Sequence, residues 1–220
     1  MGDGVLSRRC FLSVGSAAAL YAQSPSSSPR RLSADQSLKD LLDGNERFLQ
    51  GKTINPRRAP QDFSSRASNQ APEAVIVGCS DSRVPPEILF DQGVGDLFVI
   101  RVAGNLVNSA EAGVVGSMAY AVLELGAPLI MVLGHSNCGA VKAALAGKKD
   151  TLPASIRQLV SMVQTGPETD LAHAIAANVR AGVARAKDVE PNLYHLVQKN
   201  QLKVVGAVYD LASGRVSVLS

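Results

Sequence analysis

Three side chains of types that hold a transition metal stand in two short polar segments of this sequence: Cys79, His135 and Cys138. Thiolate sulfur and imidazole nitrogen are preferred donors for zinc. Three of them, with a fourth position open to water, make a catalytic rather than a structural set. His135-Ser136-Asn137-Cys138 on its own is a short spacing of the kind that arises by chance. Its weight comes from the second segment, Cys79-Ser80-Asp81-Ser82-Arg83, because each segment directly follows a short apolar run. Two plainer readings stand beside this one: a long-range disulfide between Cys79 and Cys138, or a buried thiol pair with a surface histidine.

Asp81 and Arg83 add a second layer. A carboxylate two residues from a ligand either binds the metal itself or accepts a hydrogen bond from metal-bound water. The planar fork of Arg83 matches both carboxylate oxygens and would keep them off the ion. The alternative is a surface ion pair, worth under about 1 kcal/mol.

The elements that must position these groups are legible as apolar runs. Residues 74–78, 97–102 and 129–133 read as buried strands, and both chemical segments leave strand ends. In a parallel α/β sheet, functional groups collect at the carboxyl ends of the strands. Cys79 and His135 therefore share one rim, although 56 positions separate them. An amphipathic helix is expected over 33–50, with Leu38, Leu41, Leu42, Phe48 and Leu49 on one face and Gly51 as terminator. Residues 109–125 form a crossover helix, and 140–146, 154–163, 171–187 and 193–199 carry further helical patterns. Residues 204–211 and 215–219 flank Ser213-Gly214 as a hairpin-like pair. Strands alternating with helices predict an α/β fold, its mostly parallel sheet covered on both faces.

Composition excludes several functions. The chain has 220 residues, a formal net charge of +3 and no Trp, and aromatics are 4%. Its basic residues are dispersed, so neither a nucleic-acid partner nor an anionic membrane surface is expected. No stretch reaches the roughly 18 uninterrupted apolar residues of a membrane span, so no stable membrane anchor is expected either.

The N-terminus reads differently from the rest. Arg8-Arg9-Cys10-Phe11-Leu12 precedes a mild Ala-, Ser- and Gly-rich run ending at Ala22. A basic region, a short apolar region and small residues define an export signal. The paired arginines make it resemble a twin-arginine signal, which implies the twin-arginine export machinery as a partner and a periplasmic location. Residues 1–22 are read as this signal, 23–32 as a flexible Ser- and Pro-rich leader, and 33–220 as the domain. Leu20 departs from the small residue expected before the cleavage point. The alternatives are a short N-terminus with two chance arginines and a cytoplasmic protein.

With Cys-Ser-Asp-Ser-Arg at 79–83 and His-Ser-Asn-Cys-Gly at 135–139, the chain resembles the β-class carbonic anhydrases. The likeness runs from Leu41-Leu42-Asp43-Gly44-Asn45 through residues 96–105 to Tyr209-Asp210, nearly the whole mature protein. It implies a parallel sheet with an antiparallel edge strand, a homodimer or larger homo-oligomer, and carbon dioxide and bicarbonate as substrates. Cys79, His135 and Cys138 would ligate one Zn2+ per chain, with Asp81 and Arg83 as the catalytic dyad. Gln70, Phe98 and Tyr120 correspond to pocket-lining residues, and Gly139 would offer its backbone N–H to the substrate. One departure stands out. Some bacterial relatives bind regulatory bicarbonate through a Trp, an Arg and a Tyr. Here Arg101 and Tyr209 hold the latter two places, but Ile76 stands where the Trp would be.

The expected reaction is attack of zinc-bound hydroxide on carbon dioxide. His173 and His195 are proton-shuttle candidates by residue type only. Two competing readings keep the metal site. One is hydrolysis of carbon disulfide or carbonyl sulfide, and the other is a non-catalytic zinc module.

Overall fold

The computed structural model describes residues 32–108, 112–147, 151–167 and 169–220. Residues 1–22, read from the sequence as an export signal, and all but the last of 23–32, read as a leader, lie outside the described residues.

Strand β1 (Ala74–Gly78) is buried along all five residues, and β3 (Leu129–His135) along all seven. Strands covered on both faces have no polar side to show, which is why both read as continuous apolar runs. They pair in parallel, Val75 beside Ile130 and Gly78 beside Leu133. Strand β2 (Leu97–Arg101) adds outside β1, and β4 (Lys203–Tyr209) outside β3, both parallel. Strand β5 (Val216–Val218) closes the sheet antiparallel to β4, giving the order β2-β1-β3-β4-β5. This is the α/β sheet with one antiparallel edge that the sequence leads one to expect.

Successive side chains alternate between the two faces. Val75, Val77, Ile130 and Val132 enter one core with Met118 of α3 (Ala112–Leu123), Val179 of α6 (Leu171–Asp188) and Leu193 of α7 (Pro191–Gln198). Ala74, Ile76, Leu129 and Met131 enter the other with Leu41 of α1 (Ala34–Leu49), Leu89 of α2 (Pro86–Leu89) and Phe90. Fully burying one such aliphatic side chain contributes about 1.5–3 kcal/mol.

Helix α1 starts where the Ser33 hydroxyl accepts the Gln36 N–H. It sits so close to Phe90 that a Cβ at Gly44 would meet the Phe90 carbonyl oxygen. The neighbouring Asn45 spends its whole amide on the fold. It donates to the carbonyls of Leu89 and Gly214, each at 3.0 Å, and accepts the Val216 N–H at 2.9 Å.

Three features differ from the sequence expectation. Strand β3 continues two residues beyond Leu133, so His135 is its last residue and not part of a loop. Helix α7 begins at Pro191, because the Glu190 carboxylate caps the Leu193 N–H and proline fits the first turn. The third is the short α2 with two one-turn 3₁₀ segments at Pro60–Asp62 and Ser64–Arg66. These are too short for any periodicity and are held by buried carboxylates instead. Asp91 accepts from Arg47 Nε (2.7 Å) and from the N–H groups of Ile54 (2.9 Å) and Asn55 (3.0 Å). Asp96 pairs with Arg57 and accepts the Gly93 N–H at 2.8 Å. Among the described residues no helix is long and apolar enough to cross a membrane.

Candidate metal centre

The site is built on the carboxyl ends of the two most buried strands. Cys79 follows the last residue of β1, and His135 ends β3, two positions beyond the Gly78–Leu133 pair. Cys138 is the N-cap of α4 (Gly139–Leu145), which the chain reaches through Asn137 in the left-handed region at φ +60°. Asparagine tolerates that conformation. The three donor atoms lie within 4.8 Å of one another, and all three residues are buried. Both cysteines are free thiols, so the disulfide reading is overturned.

Three observations fit this cluster to a metal. The His135 Nδ1 lies 2.9 Å from the Ser136 carbonyl and donates to it. That bond fixes the tautomer and leaves the Nε2 lone pair facing the thiols. The buried Nε2 has no hydrogen-bond partner. Orphaned buried polar atoms are rare in folded proteins, and a missing ion is one standard reason for them. The thiols themselves are biased toward ionisation of one partner. Cys138 beside it and the Gly104 N–H favour the Cys79 thiolate against the opposing effect of burial. Cys138 then holds its proton more tightly, through Cys79 and through burial. A donor set in which one thiol is biased toward thiolate and the imidazole Nε2 faces both sulfurs suits zinc.

Asp81 and Arg83 form the closed fork that their spacing suggests. Arg83 Nε donates to Asp81 Oδ1 at 2.9 Å and Nη2 to Oδ2 at 2.8 Å, and the Arg83 backbone N–H also reaches Oδ1 at 2.9 Å. The guanidinium holds the Asp81 carboxyl far below the usual carboxylate range. Oδ2 lies 3.8 Å from His135 Nε2, so the carboxylate faces the ligand cluster while remaining paired with arginine.

Two supports were not legible in the sequence. Arg101, at the end of β2 opposite Gly78, donates to the carbonyls of Cys79 (3.0 Å) and Asp81 and so grips the loop that carries ligand and dyad. The Gly104 N–H donates to Cys79 Sγ at 3.3 Å. The run Arg101 to Asn105 carries no metal-binding residue type that would have flagged either contact.

The remaining candidates fall elsewhere. Gly139 borders an apolar cavity of about 460 Å³ with Ala103, Ala140, Ala143, Ile156 and Leu159. No protein atom lies within 4 Å of where its Cβ would stand. Phe98 and Tyr120 meet each other, ring centroids 6.4 Å apart, but not the ligands of their own chain. Phe98 pairs with Val75, three residues below the Arg101–Gly78 row, which is roughly 10 Å along the strand. Tyr120 is half exposed on α3. Gln70 is exposed and precedes β1, at the end of that strand opposite Cys79. His173 is exposed and paired with Asp170, while His195 is exposed on α7 against Tyr194.

An α/β sheet presenting a buried Cys/His/Cys cluster with an adjoining Asp–Arg fork defines a candidate metalloenzyme scaffold. A family model described as carbonic anhydrase matches residues 74–216. The chain is similar to carbonic anhydrase 2 of Mycobacterium tuberculosis, 40% identical over 194 residues, which span 80% of this chain and 88% of that protein. It is also similar to a carbonic anhydrase of Pseudomonas aeruginosa, 38% identical over 196 residues, spanning 83% and 87%. Among solved structures, a Coccomyxa β-carbonic anhydrase in complex with acetazolamide matches with a TM-score of 0.64 at 31% identity, over 83% of this chain and 86% of that one. The chain belongs to the carbonic anhydrase family, in its β class.

Proposed function

We propose that this carbonic anhydrase works with one zinc ion held by Cys79, His135 and Cys138, converting carbon dioxide and water to bicarbonate and a proton. The observation that carries the reading is the orphaned, fully buried His135 Nε2 aimed at two free thiols. When bound, zinc makes a water acidic enough to supply hydroxide near neutral pH. The chain's own residues do the rest. Three protein donors leave one coordination position for solvent. Asp81, ionised and turned toward the cluster, accepts a hydrogen bond from the attacking water and orients it. Arg83 occupies both Asp81 oxygens, so the carboxylate does not compete for the open position. The apolar cavity beside Gly139 offers a small uncharged gas a dry space next to Cys138.

Gln70, Phe98 and Tyr120 serve a pocket in this reading only if they come from a second copy, because their own chain carries them away from its ligands. Partly exposed apolar side chains beside the edge strand β2 support such a homo-oligomer: Leu97, Phe98, Tyr120 and Leu123. Arg8 and Arg9 support export of the folded chain to the periplasm by the twin-arginine route. Replacing both with Lys keeps charge but removes the guanidinium groups, and precursor should accumulate in the cytoplasm.

The deciding experiment is stopped-flow carbon dioxide hydration on purified protein together with metal analysis. One zinc per chain with rapid hydration is expected. Stoichiometric zinc without hydration would leave a zinc module and overturn the enzymatic mechanism.

A further inference from the structure

Asn178 lies on α6, 99 positions from Cys79, and both ends of its amide are engaged beside the site. It is buried. Its Nδ2 donates to the Gly104 carbonyl at 2.8 Å, and its Oδ1 accepts the Gln164 N–H at 3.1 Å. The second bond fixes which end of the amide faces Gly104. Gly104 in turn donates its N–H to Cys79 Sγ. Its φ of +76° and a would-be Cβ contact of 3.2 Å with the Ala140 Cβ leave little room for a side chain at this position.

We propose that Asn178 is a positioning residue that holds the Gly104 peptide so that its N–H stays bonded to the Cys79 sulfur. The inference rests on the zinc reading above. An N–H bond to a metal-bound thiolate draws electron density from sulfur and leaves the ion more electrophilic, and it fixes the sulfur lone pair that the ion uses. Without Asn178, the 102–107 segment keeps its backbone bond from Val102 N to the Gly78 carbonyl and the bond from Arg185 of α6 to the Val107 carbonyl, but the Gly104 carbonyl loses its partner. Gly104 is then free to turn its N–H away. Packing alone gives Asn178 no reason to be an amide, since leucine has the same branched skeleton of four heavy atoms.

The test uses the full chain loaded with ¹¹³Cd, a spin-active stand-in for zinc. In the wild type, the Gly104 amide proton should show scalar coupling to cadmium, transmitted through the N–H···S bond. Asn178→Leu removes both amide functions at similar size. Asn178→Asp keeps the acceptor for Gln164 but loses the donor. Either variant alone decides. Expected results are loss of the coupling, a red-shifted thiolate-to-metal band in the cobalt form, and about 10-fold weaker metal retention against a chelator. Leu193→Ala, in the core under α7, controls for destabilisation and should leave coupling and band unchanged. Preserved coupling in a folded Asn178 variant, or its absence in the wild type, overturns the inference. Failure of the wild type to take up one cadmium per chain would instead overturn the metal-site reading.

Discussion

Asp81 and Asp91 lie ten residues apart, and both are bound by arginine, but the two pairs do different work. Asp91 is fully buried, accepts two backbone N–H groups and is reached by Arg47 and Arg58 from distant parts of the chain. Asp81 takes its arginine from two residues away, and the pair opens to solvent, the Arg83 side chain being 52% exposed. A carboxylate that closes a loop is sealed in by long-range partners. One that serves chemistry is held by a local partner and left accessible on one side. Exposure and sequence distance, rather than the salt bridge itself, separate the two roles.

That contrast can be broken or sharpened in order of expected effect. Cys138→Ser, which strikes the ligand cluster itself, should abolish both metal content and hydration, read by metal analysis on the same sample as the rate. Retained zinc with full activity would remove Cys138 from the ligand set. Arg83→Ala should keep close to one metal per chain while hydration falls about 10- to 100-fold, because Asp81 is freed to bind the ion. Near-normal activity would reduce the dyad to a surface ion pair. At the sealed site, Asp91→Ala should lower unfolding stability by about 2–3 kcal/mol in a denaturant titration, with metal stoichiometry unchanged. If it empties the metal site instead, the division of roles fails.

The pH behaviour of the open pair follows from its sign. Arg83 depresses the folded pKa of Asp81, so the pair's stabilisation is complete above the ordinary aspartate value near about 4. It is lost only as pH falls through the lower folded value. A carboxyl-carbon NMR titration of Asp81 should therefore show no inflection in the ordinary range. Arg83→Ala should bring one back. The smallest effect concerns bicarbonate. Ile76 is fully buried among Leu41, Phe90 and Met131, and Arg101 is committed to two carbonyls. Hydration should show no sigmoidal bicarbonate inhibition, and cooperative loss of activity below neutral pH would contradict this.

The metal cluster was legible because cysteine and histidine carry their chemistry in their names and sit at the ends of apolar runs. The strands themselves were legible for the same reason that they are buried: β1 and residues 129–133 of β3 admit no polar residue. What stayed hidden works through backbone. Gly104 contributes a peptide N–H, which no side-chain pattern encodes, and Asn178 looks like any polar residue on an amphipathic helix. The 51–66 loop is hydrogen-bonded to Asp91 and Asp96 across 36 to 39 positions, and such partners cannot be matched without the fold. Sequence likeness named Phe98 and Tyr120 as pocket residues, but only the fold reveals that Phe98 lies three residues along β2 from the row beside Cys79, with Tyr120 against it.

Because Cys79 and His135 hang from two parallel strands joined by a long crossover, the metal site also works as a clock for folding. His135 and Cys138 share one turn and come together early, but Cys79 joins them only once β1 has docked against β3. Parallel pairing at that sequence separation is among the slow events of folding. An ion held by all three donors, as proposed for zinc, would arrive only after the topology is chosen. It would lock the finished sheet by mass action without steering the search that built it.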